Sequence, residues 1–338
     1  MKQYHSHQYI ADKIRKTKPI MAFQREADFA EWKVKCKEKL EELLGLPFEL
    51  CADMFVITEE KDTKLYRQIC FEFQSEEGYF VPCDLLIPID AKEPFPVAIC
   101  LQGHSSGKNI SMGIKQYDSD TESMMKGRDF AIQAVQEGFC AVVLDQRYMG
   151  VAGHNANGQP GCCTTNQALP ALLIGRSAIG ERVWDVMRLI DVMEKYLTDY
   201  IDKDKIMCLG NSGGGTTTFY AAALDERIHM AIPSCAVCTF EDSIVDIHHC
   251  CCNYAPGIRK YFNMGDIGCL IAPRRLVVVC GIHDEIFPLK GVEKSYAVIE
   301  SAYQENGSGE NCRLVKGDGG HQFYPKDVWP IVNEWFGR

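Results

Sequence analysis

The segment Gly210–Gly215, which reads Gly-Asn-Ser-Gly-Gly-Gly, constrains the fold of this chain more than any other. It follows the short apolar run Ile206–Leu209 and precedes a helical pattern that continues through Phe219–Leu224. A strand that ends in Gly-x-Ser-x-Gly and turns at once into a helix is typical of a nucleophile elbow, whose serine lies on a strained turn. Glycines flank the serine because the sharp turn leaves almost no room for side chains. The pattern therefore predicts a nucleophilic Ser212 hydroxyl at the carboxyl end of a strand.

Short apolar runs alternate with helical patterns along most of the chain, which has 338 residues. The predicted strands cover residues 66–73, 79–89, 96–101, 140–144, 206–209, 230–233, 276–280 and 312–315. The predicted helices cover residues 29–44, 130–138, 177–197, 289–304 and 326–336. Continuous apolar strands that alternate with helices are typical of a parallel sheet buried on both faces. We therefore expect an α/β protein with a mostly parallel central sheet and helices on both faces.

The chain contains no internal repeat and no linker that would split it into two large domains. Residues 1–65 are expected to form an N-terminal helical extension that packs on the core, with a helix that begins at the Asp28 cap and ends at Gly45. A hairpin then leads into a main domain over residues 66–338. Within it, residues 239–268 are expected to form a cap or a pocket loop.

Composition and charge narrow the classes of partner. The chain is 46% hydrophobic and 24% charged, as is ordinary for a globular protein, and its net charge of -10 argues against a nucleic-acid partner. No apolar run approaches the length of a membrane span, and Met1–Lys18 lacks the apolar region of a signal peptide. We therefore expect a cytoplasmic protein without membrane contacts. A homo-oligomer is compatible with the sequence but not specified by it.

A serine nucleophile needs a general base and a group that orients the base. On this architecture an acid and a histidine follow the serine in that order, each after a strand. Asp284 follows the next-to-last predicted strand, and His321 lies on a glycine-rich loop after the last one. We therefore predict Ser212 as the nucleophile, His321 as the base and Asp284 as the orienting acid. The rivals for the acid are Glu285 and Asp318.

An oxyanion hole on this architecture uses one N–H after the nucleophile and one from the loop after an earlier strand. Gly213 follows the serine and begins the predicted helix, whose N-terminal dipole favours negative charge. The loop Leu101–Gly107 follows an earlier predicted strand and contains His104. The predicted donors are therefore the backbone N–H groups of Gly213 and His104.

Five segments stand in a characteristic order and spacing: LQGHSSG at 101–107, DQRYMG at 145–150, GNSGGG at 210–215, HDEIFP at 283–288 and GGHQF at 319–323. With these segments the chain resembles the α/β-hydrolase superfamily, in the branch that contains acetyl xylan esterase-like and dienelactone hydrolase-like proteins. The resemblance spans most of residues 95–338. It implies an α/β-hydrolase fold and a carboxylic-ester hydrolase without a cofactor, and acetylated carbohydrate is one substrate class that it suggests. Dienelactone hydrolases use a cysteine nucleophile, so their lactone chemistry does not carry over to Ser212.

Several residues near the expected site are candidates for substrate contacts. Arg147 and Tyr148 follow the predicted strand that ends at Leu144, on the same rim as His104. Arg147 can equally well pair with a carboxylate of the scaffold. Insertions between the nucleophile and the acid often cover the active site, and this region adds three candidates: His248, His249 and Tyr254.

Seventeen cysteines, an odd number, without a recognisable signal peptide indicate free thiols. One stretch is rich in soft ligands: Cys235, Cys238, His248, His249, Cys250, Cys251 and Cys252. A metal site is one interpretation of it. However, Cys235–Cys238 resembles the end of a strand, the adjacent His-His-Cys run is poorly spaced for ligation, and free cysteine is commonly buried. We therefore expect buried thiols and a pocket loop, with no metal.

Two other functions compete with an esterase. Serine peptidases share this architecture, but about ninety-five residues before the Pro96 strand are too few for the propeller that often gates such enzymes. The other alternative is a hydrolase-like binding protein without activity. The presence of all three predicted catalytic side chains, Ser212, His321 and Asp284, argues against it. The acyl group and the alcohol of the substrate are not encoded in any motif.

Overall fold

A computed structural model describes residues 4–25, 28–89, 94–154, 157–159, 161–162 and 164–337. Its strands are β1 (Phe55–Asp62), β2 (Tyr66–Glu76), β3 (Tyr79–Pro88), β4 (Phe95–Leu101), β5 (Cys140–Leu144), β6 (Ile201–Asn211), β7 (Met230–Ser234), β8 (Arg275–Gly281) and β9 (Cys312–Gly317). Its helices are α1 (Ser6–Lys16), α2 (Phe29–Leu44), α3 (Asp120–Met125), α4 (Phe130–Gln136), α5 (Thr164–Ala168), α6 (Ala178–Tyr196), α7 (Gly213–Leu224), α8 (Ile258–Tyr261), α9 (Met264–Cys269), α10 (Leu289–Glu305) and α11 (Pro325–Phe336). Each predicted strand and helix is present, with ends that shift by a few residues.

The strands form one nine-stranded sheet in the order β1-β2-β3-β5-β4-β6-β7-β8-β9. The pairs β1–β2, β2–β3 and β3–β5 are antiparallel. The pairs β5–β4, β4–β6, β6–β7, β7–β8 and β8–β9 are parallel. Because parallel strands point the same way, the loops after β4, β6, β8 and β9 open on one edge of the sheet. This edge carries the loops that contain the predicted site residues.

The sheet is buried on both faces, as predicted. In β4, Val97 and Ile99 join a core formed with α2, α6, α7 and α10, whereas Ala98 and Cys100 join a second core formed with α4 and α11. Successive strand side chains point to opposite faces, so a strand covered on both sides must be apolar at every position. This explains the continuous apolar runs in the sequence.

Two local features differ from expectation. The edge strand β1 carries the charged stretch Thr58–Asp62 and is almost wholly exposed, so it lacks the apolar pattern by which strands are recognised. Strand β7 ends at Ser234, and Cys235 turns the chain sharply with a φ of 48°. The expectation that Cys235–Cys238 continues a strand is therefore wrong.

The N-terminal helix α2 forms where the sequence indicated. The Asp28 side chain accepts a hydrogen bond of 3.0 Å from the Glu31 N–H, and Gly45 ends the helix with a φ of 83°. The helix buries Cys36 and Leu40 against the main core. The proposed boundary at residue 65 stays a prediction. No helix among the described residues combines the length and apolarity needed to cross a bilayer.

Candidate active site

Ser212 lies on a strained turn between β6 and α7. Its φ of 54° and ψ of −122° are costly for a residue with a Cβ, and its N–H donates a 2.9 Å hydrogen bond to the Ser234 carbonyl at the end of β7. The turn is thus fixed to the neighbouring strand. It presents the serine at the carboxyl edge of the sheet, as the sequence predicted.

The flanking glycines are required by close backbone approach. A Cβ on Gly214 would overlap the Leu101 carbonyl, and a Cβ on Gly210 would lie 2.6 Å from the same oxygen. The elbow therefore packs directly on the end of β4. Only glycine at these two positions allows β6 to turn into α7 at this distance.

The acid and the histidine are brought together by the loops after β8 and β9. His321 Nδ1 donates a 2.8 Å hydrogen bond to Asp284 Oδ2. The two loops are joined by backbone bonds of 2.9 Å from the Ile282 N–H to the Gly317 carbonyl and from the His283 N–H to the Gly319 carbonyl. This ladder fixes the distance between the two side chains before any substrate binds.

Asp284 is held as an anion. Its side chain is buried, and Oδ1 accepts hydrogen bonds of 2.8 Å from the Ile286 N–H and 3.1 Å from the Phe287 N–H. Burial raises the pKa of Asp284, but the hydrogen bond and charge of His321, together with these two N–H donors, outweigh burial and leave the pKa below its ordinary value. A carboxylate in this state orients an imidazole and stabilises its protonated form.

The rival acids lie elsewhere. Glu285 and Asp318 are both exposed, and neither hydrogen-bonds to His321 within the described part of the chain. The Nδ1 atom of His321 hydrogen-bonds to Asp284 and not to its neighbour Glu285. The geometry thus favours Asp284 over both rivals.

Ser212 and His321 are linked through the end of β7. Ser234, whose carbonyl accepts from the Ser212 N–H, donates its hydroxyl to the Gln322 carbonyl at 3.3 Å. Among the described residues no hydrogen bond joins the Ser212 hydroxyl to His321. Catalytic hydrogen bonds of this kind often tighten only when substrate binds.

The buried Cys235, which the sequence had grouped with the soft-ligand stretch, lies beside the acid–base pair formed by Asp284 and His321. The Sγ of Cys235 and the ligand atoms of Asp284 and His321 all lie within 4.8 Å of one another, and this thiol donates to the Gln322 carbonyl at 3.3 Å. Burial, followed by the charge of Asp284, raises the pKa of Cys235. It is therefore a neutral donor that packs against the pair, and its position was not predictable from the Cys-x-x-Cys spacing.

The loop after β4 packs against the elbow. A Cβ on Gly103 would lie 3.0 Å from the Ser212 Cβ, and a Cβ on Gly213 would lie 2.9 Å from Cε1 of His104. Neither the His104 N–H nor the Gly213 N–H donates a hydrogen bond to another described residue. Gly213 is the first residue of α7, where such free donors are expected. The two predicted oxyanion donors thus lie in segments that pack against each other, and neither N–H has a hydrogen-bond partner among the described residues.

Arg128 was missed by sequence reasoning. It is buried and donates from Nε to Gln102 Oε1 at 3.1 Å, but its Nη2 has no hydrogen-bond partner among the described residues. That Nη2 lies 3.1 Å from the point where a Cβ on Gly103 would sit, on the side of the elbow serine. Burial lowers the pKa of Arg128 to about 10, so the group stays charged at neutral pH. No local pattern marks this position.

His249 is the candidate in the cap that approaches the pair. Its ring contacts Phe287 edge-on at 5.3 Å between centroids, and Phe287 in turn stacks on His321 at 6.0 Å. His249 also bonds to the Ser243 hydroxyl at 3.0 Å, and burial lowers its pKa. His248, in contrast, is exposed. The Tyr254 hydroxyl donates to the Ile244 carbonyl at 3.1 Å, so its polar group is used within the cap at residues 239–268.

Arg147 and Tyr148 are bound to the scaffold. Arg147 donates from Nε and Nη2 to both oxygens of Asp185, at 2.9 Å each, and its guanidinium lies 4.2 Å from the centre of the Tyr79 ring. The Tyr148 hydroxyl hydrogen-bonds to Glu181. Both side chains are thus committed to α6 and the hairpin, which favours the scaffold alternative for Arg147 over a substrate contact.

Three ligand-type side chains from the soft-ligand stretch and the oxyanion loop meet. His104 Nε2 lies 2.9 Å from Cys250 Sγ and 3.5 Å from Cys252 Sγ, and the two sulfurs are 2.7 Å apart. Hydrogen bonds from Cys252 and then His104 lower the pKa of Cys250, while the contact with Cys250 and burial raise that of Cys252. Burial lowers the pKa of His104, but bonds with Cys162 and Cys250 outweigh it and raise the pKa to about 9.

A polar cavity of ≈ 580 Å³ adjoins the oxyanion loop. Hydroxyl and carboxylate groups dominate its lining, which includes Ser105, Ser106, Tyr117, Ser119, Asp120 and Ser123. Such a lining offers many hydrogen-bond partners beside an apolar surface of similar extent. It suits a ligand that carries several hydroxyl groups better than an aliphatic one.

Comparison with known proteins places the chain among hydrolases. The model of the Abhydrolase family matches residues 2–315. The Bacillus subtilis protein named "Putative hydrolase YtaP" is 24% identical over 279 residues, which cover 78% of this chain and 84% of that protein.

Solved structures share the fold at low sequence identity. A Bacteroides fragilis protein described as a "putative acetyl xylan esterase" superposes with a TM-score of 0.83 at 19% identity, covering 99% of this chain and 96% of that one. A glucuronoyl esterase from Solibacter usitatus superposes with a TM-score of 0.68 at 14% identity, covering 95% and 98%. These similarities show the α/β-hydrolase fold that the sequence segments had indicated.

Proposed function

Because this chain belongs to the Abhydrolase family, we propose that it hydrolyses carboxylic esters, with Ser212 as the nucleophile, His321 as the general base and Asp284 as the orienting acid. The observation that carries the proposal is the 2.8 Å hydrogen bond from His321 to a buried Asp284, on the same sheet edge as a serine with strained backbone. Each of these features is costly to the fold, and together they serve acyl transfer.

The reaction proceeds in two halves. The Ser212 hydroxyl attacks the ester carbonyl while His321 takes its proton, and the oxygen of the tetrahedral intermediate accepts hydrogen bonds from the N–H groups of Gly213 and His104. The carbon–oxygen bond to the alcohol then breaks, and His321 returns the proton to the departing alkoxide. A water molecule, activated by the same histidine, attacks the acyl-enzyme, releases the acid and regenerates Ser212.

Esters of carbohydrates are the proposed substrate class. The polar cavity next to His104 supports this, because its hydroxyl and carboxylate groups can bind sugar hydroxyls. The similar structures from Bacteroides fragilis and Solibacter usitatus, described as an acetyl xylan esterase candidate and a glucuronoyl esterase, point to the same class. Acetyl esters are the first choice, since the Bacteroides fragilis structure, which superposes over 99% of this chain, is described as a "putative acetyl xylan esterase".

Hydrolysis of p-nitrophenyl acetate by the wild-type protein and by Ser212→Ala tests the mechanism. We expect the variant to lose at least about 10³-fold in kcat/KM. A matched substitution, Ser308→Ala, removes a hydroxyl that hydrogen-bonds to the Tyr303 carbonyl in the loop between α10 and β9, and it controls for the loss of a serine hydroxyl. Equal activity of Ser212→Ala and wild type would refute the proposal.

A substrate panel decides between the esterase and its alternatives. Acetylated xylo-oligosaccharides, glucuronoyl methyl esters, aryl acetates and a peptide p-nitroanilide are compared by kcat/KM under one set of conditions. Preference for an acetylated sugar supports the proposed class. Faster cleavage of the peptide amide than of any ester would favour a peptidase, and no turnover of any substrate would favour a binding protein.

A further inference from the structure

We propose that four side chains bind one zinc ion beside the active site: His104, Cys162, Cys250 and Cys252. They come from three loops that are far apart in sequence, namely the oxyanion loop after β4, the loop before α5 and the cap. A set of three thiols and one imidazole is a recurrent ligand set of structural zinc sites. The spacing within residues 235–252 predicted no metal, but His104 and Cys162 lie outside that stretch and reach it only in the folded chain.

Three of the four proposed ligand atoms already converge. The Sγ atoms of Cys250 and Cys252 and a ring nitrogen of His104 all lie within 4.8 Å of one another. Around a tetrahedral zinc ion, with bonds of about 2.3 Å to sulfur and about 2.0 Å to nitrogen, the ligand atoms are roughly 3.5–3.8 Å apart. The separation of 3.5 Å between His104 Nε2 and Cys252 Sγ matches this geometry, whereas the contacts of Cys250 Sγ with His104 Nε2 at 2.9 Å and with Cys252 Sγ at 2.7 Å are shorter and would have to lengthen around the ion.

Cys162 is the proposed fourth ligand, although its sulfur is not among the ligand atoms that lie within 4.8 Å of one another, so the loop before α5 would have to move closer to bind the ion. Its side chain hydrogen-bonds to the same His104 imidazole, and it lies at the edge of the polar cavity. With four protein ligands the ion has no open position, so the site is structural rather than catalytic. The pair Cys250 and Cys252 is one residue closer in sequence than the usual Cys-x₂₋₄-Cys, and the short 3₁₀ turn Cys251–Asn253 brings both sulfurs to one side.

The surroundings fit a metal–thiolate group. Three thiolates and one neutral imidazole around Zn²⁺ carry a net charge of minus one. The guanidinium of the fully buried Arg182 lies close enough to Cys250 and Cys252 to offset this charge. The Asn253 amide donates weakly to both sulfurs, at 3.9 and 3.7 Å, and its oxygen accepts from Thr216 on α7. Such outer contacts commonly orient metal ligands.

The ion would position the oxyanion loop. The His104 ring packs against Gly213, and the His104 backbone N–H is one of the two proposed oxyanion donors. A zinc ion on the ring would therefore hold this N–H and the cap in a fixed relation to Ser212. The metal acts only as a clamp and takes no part in the chemical step.

Metal content of the purified full-length protein tests the proposal without any assay of activity. The protein is purified under reducing conditions without chelator, supplied with zinc, desalted and measured by plasma mass spectrometry. We expect about one zinc per chain in the wild type and less than about a tenth in Cys250→Ser, Cys252→Ser and Cys162→Ser. Cobalt in place of zinc should give the visible absorption of tetrahedral cobalt–thiolate, which the same variants lose.

Cys251→Ser is the matched control, since it removes the thiol between the two proposed ligands and should retain zinc. Wild-type protein that binds no zinc after full reduction would overturn the proposal, whether or not the variants fold. Zinc retained by the double variant Cys250→Ser/Cys252→Ser would overturn it too. So would an intact mass showing that the wild-type protein, purified under reducing conditions and supplied with zinc, holds a Cys250–Cys252 disulfide and no metal. Failure of the esterase proposal leaves the zinc count unchanged, so the two outcomes are distinguishable.

Discussion

Asp284 holds His321 with one carboxylate oxygen and the turn that follows it with the other. Oδ2 accepts from His321 Nδ1 at 2.8 Å, while Oδ1 accepts from the backbone N–H groups of Ile286 and Phe287. The carboxylate therefore cannot rotate without breaking bonds on both sides. The ring of Phe287, fixed by this turn, stacks on the histidine and limits its rotation as well.

Asp284→Asn should lower kcat on p-nitrophenyl acetate by about 10³- to 10⁴-fold, because an amide holds the imidazole in the wrong tautomer and does not stabilise its charged form. Glu285→Gln and Asp318→Asn, which neutralise the exposed rival acids, should stay within about twofold of wild type. A large loss in either control, with activity retained in Asp284→Asn, would reassign the acid.

The stability contributed by Asp284 should depend on pH. Its pKa is lower in the folded chain than its ordinary value, so its ionisation stabilises the fold above the unfolded pKa of about 3.9. This contribution is lost as the pH falls through the lowered, folded pKa. The difference in unfolding free energy between wild type and Asp284→Asn, measured in urea, should be constant from about pH 5 to pH 7 and shrink below about pH 4. A difference that grows on acidification would mean that Asp284 is protonated in the folded protein.

The sequence predicted the parts of the site that depend on local patterns. Ser212, Asp284 and His321 each follow an apolar strand, and parallel strands bring their carboxyl ends to one edge. The side-chain contacts across loops were not predictable in this way. His104 and Cys250 are 146 residues apart, and only the path of both loops over the sheet brings them together. Arg128 lies in a loop without periodicity, and its burial follows from packing against Gln102.

Arg128→Lys should reduce kcat/KM by about 10- to 100-fold while the protein stays folded. Lysine keeps the charge but loses the planar fork, so it cannot both donate to Gln102 and present a second donor beside the elbow. Steady-state kinetics and thermal unfolding of the same preparations separate the two effects. Lys126→Ala removes an exposed cation of the same loop and should leave kcat/KM within about twofold. Unaltered kinetics in Arg128→Lys would limit this arginine to a structural role.

Arg147→Ala should destabilise the fold by about 3–5 kcal/mol, because it leaves Asp185 buried without its cation. The rim position of Arg147 had suggested a substrate contact, but its side chain points toward α6. Urea unfolding measures the change, and the double variant Arg147→Ala/Asp185→Ala should lose less than the sum of the two single variants. A raised KM without loss of stability would instead restore the substrate-binding role.

His249 and His248 offer the sharpest comparison within the cap, since they are neighbours with opposite surroundings. His249 contacts Phe287, whose ring lies on His321, whereas His248 is exposed. His249→Ala should therefore lower kcat/KM by about tenfold, because it opens space beside the acid–base pair and removes the anchor to Ser243. His248→Ala should remain within about twofold of wild type. Kinetics on p-nitrophenyl acetate and on an acetylated sugar measure both variants. If the two variants lose activity equally, the cap acts on the site through its overall fold and not through the His249 ring.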